Sequence, residues 1–213
     1  MKKILSGLYA ITNESLMPIN DFSSMAEAAL SSGVSIIQYR DKSHDTEKRI
    51  KQAHELRILC DRYNALLIIN DDIDLTIQSN ADGIHIGKDD TSIRVTRKRL
   101  GHNKIIGVSC YNSTDLAKQA IEDGADYIAF GSFFGSTIKP DAPKAEVELI
   151  NSIKNNYDIP VCCIGGITTQ NCRELLREKA DMLAVISELF SSQSTPDIKN
   201  KCAQFLIEFN TKD

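Results

Sequence analysis

The chain has 213 residues, 42% of them hydrophobic and 25% charged, the balance of an ordinary soluble globular domain. Its net charge of −4 and the lack of any basic block argue against a general nucleic-acid binder. No apolar segment approaches the roughly 20 residues a membrane-spanning helix needs, and a chain of this length buries enough surface to fold without disulfides or a structural metal.

In chain order, strands are predicted at 7–12, 34–41, 65–71, 83–87, 104–110, 127–133, 160–167 and 182–187. Most are short runs rich in Ile and Val, bounded by Gly, Asp or Asn, which suits strands buried on both faces. Amphipathic stretches lie between them. One is 45–63, with Ile50, Ala53, Leu56 and Leu59 or Cys60 near helical spacing; another is 113–123, opened by Ser113-Thr114-Asp115. Gly33, Gly101 and Gly124 sit where a helix would end and turn back. The helix after Asp71 must be very short, and 196–210 supplies the eighth. The repetition is architectural (strand, loop, helix), with no repeated sequence evident. These elements predict one α/β domain over 1–213, a single (β/α)8 TIM barrel.

All strand C-termini of such a barrel meet on one face, so residues distant in sequence converge there. Strand two ends in Gln38, Arg40 and Lys42, which alternate onto one side; Arg offers a fork to phosphate oxygens and Lys a compact charge, whereas a surface charge cluster is the plainer alternative. Strand three ends abruptly in Asn70 and Asp71, and Asp89 and Asp90 follow strand four. Carboxylates from adjacent strand ends suit a shared hard divalent ion, and helix capping is the competing role for Asp71, Asp72 or Asp90. His85, between Ile84 and Ile86, reads more readily as a satisfied core residue than as a reactive one. Ser109 ends strand five, placed for a phosphate or for a turn. No Ser-His-Asp arrangement can be assembled from sequence order.

After strand six, 131–140 is rich in small and hydroxyl residues and carries Lys139, so it can close on an anion or serve as a plain connection. Gly165-Gly166 ends strand seven before a helix, letting backbone amides approach a phosphate without Cβ interference. Strand eight ends in Val185-Ile186-Ser187, and loops seven and eight are common phosphate sites in barrels. The six cysteines (Cys60, Cys110, Cys162, Cys163, Cys172, Cys202) form no C-x-x-C pair and read as buried reduced thiols. With an N-terminus too short and mixed for a signal segment, they point to a cytoplasmic protein.

As a set, Gln-x-Arg-x-Lys, Asn-Asp, Gly-Ile-His-Ile-Gly-x-x-Asp, Gly-Val-Ser, the Lys139 loop and Gly-Gly-Ile resemble the thiamine phosphate synthase family over nearly the whole chain, from Gly7 to Ser187. The resemblance implies a transferase that joins hydroxymethylpyrimidine diphosphate to hydroxyethylthiazole phosphate with Mg2+ assistance, releasing pyrophosphate. It implies diphosphate contacts from Arg40, Lys42, Asn70, Ser109 and Lys139, and places Gln38 near the pyrimidine. Asp71 and Asp90 correspond to the magnesium ligands, leaving Asp89 and Asp72 as caps or outer partners. Ser136, Gly166, Ile186 and Ser187 correspond to the thiazole-phosphate side, and Lys139, Arg40, Lys42 and Ser109 to the groups that carry the chemistry. The chain departs from the pattern in one loop: Gly135 stands for a common Pro, and Ile138 lacks a hydroxyl that many relatives have. A thiazole tautomerase-like isomerase and a non-catalytic phosphate-ligand protein are the alternatives on this barrel. The expected partners are the two small phosphorylated substrates, with no nucleic acid and no membrane, and a homo-oligomer is compatible with the reading.

Overall fold

The computed structural model describes residues 4–87, 90–135 and 143–211. Eight strands close in sequence order into a barrel, each parallel to its neighbours. They are β1 (Gly7–Ile11), β2 (Ile36–Tyr39), β3 (Leu66–Asn70), β4 (Gly83–Ile86), β5 (Ile105–Tyr111), β6 (Tyr127–Phe130), β7 (Val161–Ile164) and β8 (Met182–Val185). The helices outside are α1 (Phe22–Ser31), α2 (Thr46–Arg62), α3 (Ile73–Gln78), α4 (Ile93–Leu100), α5 (Thr114–Glu122), α6 (Glu148–Lys154), α7 (Cys172–Arg177), α8 (Ser187–Phe190) and α9 (Thr195–Asn210).

Local chemistry explains several of these boundaries. Asp45, Asp72 and Ser113 cap α2, α3 and α5 by accepting the backbone N–H of Lys48, Leu75 and Leu116. Gly33, Gly101 and Gly124 take φ of 95°, 77° and 93°, the left-handed turn that a side chain would strain. Strand β2 stops at Tyr39 because the Arg40 N–H leaves the ladder for Thr12 Oγ1, at 2.8 Å. Arg40 therefore stands in the loop beyond the strand, a correction to its expected place within it, and Lys42 follows in the same loop. Strand β6 likewise stops at Phe130, and the Ser132 N–H goes to Pro143 O at 3.0 Å. Strand β7 ends at Ile164 and β8 at Val185, where the chain enters the unforeseen short helix α8.

Two apolar regions result. One fills the space between strands and helices; the other, inside the barrel, contains Tyr9, Ile36, Leu66, Ile68, Tyr127, Cys162, Met182 and their neighbours. The six cysteines are all buried, and none is in a disulfide.

A repeated polar device closes the N-terminal end of the barrel. Asp82, Asp126 and Asp181 each precede an even-numbered strand. Each accepts the N–H of a residue in the preceding odd strand: Leu67 at 2.8 Å, Ile106 at 2.9 Å and Val161 at 2.7 Å. Each also pairs with a cation from the helix before that odd strand: Arg57 at 2.7 Å, Arg97 at 2.5 Å and Lys154 at 2.9 Å. The sequence carries this device as Ala81-Asp82, Ala125-Asp126 and Ala180-Asp181, a repeat of only two residues per occurrence. Ser35 stands in the corresponding place before β2, and its hydroxyl donates to Ser6 O at 2.6 Å.

Candidate active site

A cavity of about 300 Å³ opens at the C-terminal ends of the strands. Alternation along each strand aims Gln38, Asn70, His85 and Ser109 inward, together with Tyr9, Ala129, Cys162 and Ala184. Gln38, Arg40, Asn70, Ser109, Gly166, Ile186 and Ser187 all line this one space, so seven residues named from sequence converge. Its walls are apolar at Ile11, Ile164 and Ile186, while the β2, β3 and β5 side carries polar donors. Ser136 and Lys139, like Asp89, lie outside the described residues.

At the β3–β4 rim, Asp71 takes Lys42 Nζ and Asn70 Nδ2 on one carboxylate oxygen, both at 2.5 Å. Asp71 holds φ of 64°, in the left-handed region that Asp tolerates better than most residues. Asp90 accepts the Gly87 N–H at 2.7 Å. Its carboxyl is pushed above the usual carboxylate range, first by burial and then by the Asp71 carboxyl beside it, against the Gly87 N–H and Lys42. The two carboxyls side by side offer only oxygen donors, which fit a hard divalent cation. Asp72 by contrast is spent on capping α3 and on Arg49, at 2.8 Å. Among the described residues no three His, Cys, Asp or Glu side chains cluster as a self-sufficient metal site, so a cation here would complete its shell with ligand oxygens or water.

The glycines of strand seven do more than expose amides. A Cβ on Gly166 would lie 2.1 Å from Gly135 O, and one on Gly165 would lie 2.1 Å from Ser132 Oγ. The bare pair thus lets the strand-six loop lie directly across strand seven, where Phe134 N–H donates to Gly165 O at 3.0 Å. The expected helix does not start at once. Asn171 closes the intervening turn, accepting from Thr168 N at 2.8 Å and donating to Gly166 O at 3.0 Å, and α7 begins at Cys172.

His85 is not merely a core residue. Its Nδ1 meets Tyr127 OH and its Nε2 meets Ser109 Oγ, both at 2.9 Å, and its ring stacks on Tyr127 at 5.6 Å between centroids. Tyr127 OH in turn meets Tyr9 OH at 2.9 Å, and Gln38 Nε2 donates to Tyr9 OH at 2.8 Å. Burial pushes both phenols well above their ordinary pKa, so they stay protonated. Gly107 makes this possible, since a Cβ there would lie 1.9 Å from Tyr127 Cζ. Sequence reasoning passed over Tyr9 and Tyr127. The available signal was a phenol at an inward-facing position of an otherwise apolar strand, which needs a buried hydrogen-bond partner.

Comparison with known proteins shows the family. A family model described as thiamine monophosphate synthase matches residues 8–189. The thiamine-phosphate synthase of Thiobacillus denitrificans is 45% identical over 204 residues, covering 96% of this chain and 95% of that protein. Its counterpart from Acidithiobacillus ferrooxidans is 43% identical over 212 residues, covering 98% and 96%. The solved thiamine phosphate pyrophosphorylase of Pyrococcus furiosus superposes with a TM-score of 0.86 at 32% identity, covering 95% of each chain. The chain therefore belongs to the thiamine monophosphate synthase family.

Proposed function

We propose that the chain condenses hydroxymethylpyrimidine diphosphate with hydroxyethylthiazole phosphate, giving thiamine phosphate and pyrophosphate by a Mg2+-assisted dissociative substitution. The observation that carries the reading is the Asp71–Asp90 carboxyl pair beside Lys42 and Asn70, at the rim of a cavity lined by Arg40 and Ser109. Near-full-length similarity to named synthases supports the substrates. The six buried cysteines, none in a disulfide, support a cytoplasmic setting.

The chemistry follows from charge. The C–O bond between the pyrimidine methylene and the diphosphate breaks with its electron pair leaving on oxygen. The aminopyrimidine ring delocalises the resulting cation, and the thiazole nitrogen then forms the new C–N bond. No protein nucleophile is required. Arg40 and Lys42 neutralise the leaving group, while Asn70 and Ser109 donate hydrogen bonds to its oxygens. Asp71 and Asp90 would hold Mg2+, which supplies further positive charge to the diphosphate. Lys139 adds a cation from the strand-six loop, and Ser136, Gly166, Ile186 and Ser187 receive the thiazole phosphate. Apolar walls at Ile11, Ile164 and Ile186 keep water from capturing the cation.

The test is a Mg2+ titration of product formation by wild type and Asp71→Ala. The variant is expected to lose most Mg2+-dependent activity. Normal activity with an unchanged Mg2+ response would make Asp71 structural only.

A further inference from the structure

We propose that His85 and Tyr127 are positioning residues, members of a one-way hydrogen-bond relay from Gln38 through Tyr9 that leaves the Ser109 hydroxyl free to donate to the diphosphate. The proposal rests on the reading above that the diphosphate lies at Ser109.

Five side chains on five strands form the line: Gln38 on β2, Tyr9 on β1, Tyr127 on β6, His85 on β4 and Ser109 on β5. Each link spans 2.8 or 2.9 Å, and both phenols are almost completely buried. A hydroxyl has one proton to give, so direction propagates. Gln38 Nε2 donates to Tyr9, and among the described residues Tyr127 OH is the other hydrogen-bond partner of Tyr9 OH, so the buried Tyr9 proton goes to Tyr127. Tyr127, having accepted, donates to His85 Nδ1. That fixes the imidazole as the Nε2–H tautomer, because a ring nitrogen that accepts carries no proton. Nε2–H then donates to Ser109 Oγ, and the Ser109 proton turns into the cavity.

The opposite polarity would be unsuited to an anion. With His85 protonated on Nδ1, Nε2 would take the Ser109 proton and leave only lone pairs facing the diphosphate. A serine alone rotates between these states; the relay selects the donor state in advance, so no reorientation is needed as charge develops on the leaving group. Reversing the Gln38 amide would reverse every bond in the line. This also accounts for Gly107, whose missing side chain is what allows the Tyr127 ring to reach both Tyr9 and His85.

The experiment is a double-mutant cycle on the binding of inorganic pyrophosphate with Mg2+, which contains no pyrimidine and so isolates the diphosphate end. Wild type, Tyr127→Phe, Ser109→Ala and the double variant are titrated calorimetrically, and the His85 tautomer is read by 15N NMR in unmodified protein. Tyr127→Phe is expected to weaken pyrophosphate binding about tenfold in wild type, and by less than about twofold when Ser109 is already Ala. NMR is expected to show the proton on Nε2. His85→Gln, whose amide can stand in for Nε2–H, is expected to retain affinity that His85→Leu loses. Equal weakening in both backgrounds, no weakening by Tyr127→Phe, or an Nδ1–H tautomer overturns the relay. Ser109→Ala binding pyrophosphate as wild type does overturns the diphosphate assignment, and the proposal with it, whatever the tautomer.

Discussion

Replacing Asp126 with Ala removes one carboxylate that serves two elements at once. It accepts the Ile106 N–H at 2.9 Å and pairs with Arg97 at 2.5 Å, where Arg97 is 17% exposed and Asp126 31%. Ile106 is fully buried, so its N–H is left without that acceptor at the start of β5. Losing a charged acceptor for a buried N–H costs about 1.5–3 kcal/mol, and a part-exposed ion pair adds at most about 1 kcal/mol. For a domain of this size, about 2–4 kcal/mol lowers the melting temperature by about 4–16 °C. Because the same device recurs, Asp82→Ala and Asp181→Ala should fall in the same range. Ser35→Ala, which forfeits a neutral bond, should cost only about 1 kcal/mol. Circular dichroism melts and urea titrations of the four variants provide the assay. Three aspartate variants melting within about 2 °C of wild type would refute the claim that these carboxylates hold the N-terminal end of the barrel together.

Gly107→Ala drives a methyl to 1.9 Å from the Tyr127 ring and should cost at least the about 1–3 kcal/mol of overpacking. Gly124→Ala, with φ +93° but no atom within 4 Å, should cost only about 1–2 kcal/mol of backbone strain; equal melting temperatures for the two would count against the packing argument. Asp41 is held below the usual carboxylate range: burial pushes it up, but Lys48 and Ser43 outweigh that. A lowered folded pKa gives stability that is present above the unfolded value near 4 and lost as pH falls through the folded one. Asp41→Asn removes the charged acceptor of Lys48 and Ser43 and should cost about 1.5–3 kcal/mol at neutral pH, with the gap to wild type narrowing in acid; a gap independent of pH contradicts this. Lys139→Ala should lower kcat far more than it raises KM for the thiazole phosphate, and the reverse pattern would remove Lys139 from the leaving-group side.

Much of this fold was legible because parallel strands buried on both faces stand out as apolar runs. The order of eight strands, the caps at Asp45 and Ser113 and the short α3 all follow from local chemistry that sequence displays. Strand ends were less legible. Arg40 continues the β2 alternation in sequence, yet its N–H turns to Thr12 Oγ1, a partner 28 residues away that no local pattern announces. The polar half of the cavity could be read because Gln38, Asn70 and Ser109 interrupt apolar runs. Tyr9 and Tyr127 could not be read in that way, since a phenol in an apolar strand resembles ordinary core. Only closure of the barrel brings both to His85. Gly107 carries the same lesson, because its need for a bare α-carbon comes from a ring on the next strand. The Ala-Asp repeat was hidden by brevity: two residues per occurrence acquire meaning only once three carboxylates are seen in equivalent places.

The most direct test of the functional account supplies purified protein with both phosphorylated halves, in Mg2+ or in chelator, and follows thiamine phosphate and pyrophosphate together. The account predicts equal amounts of both products in Mg2+ and neither in chelator. Product formation indifferent to chelation, or isomerisation of the thiazole with no pyrophosphate released, would contradict it.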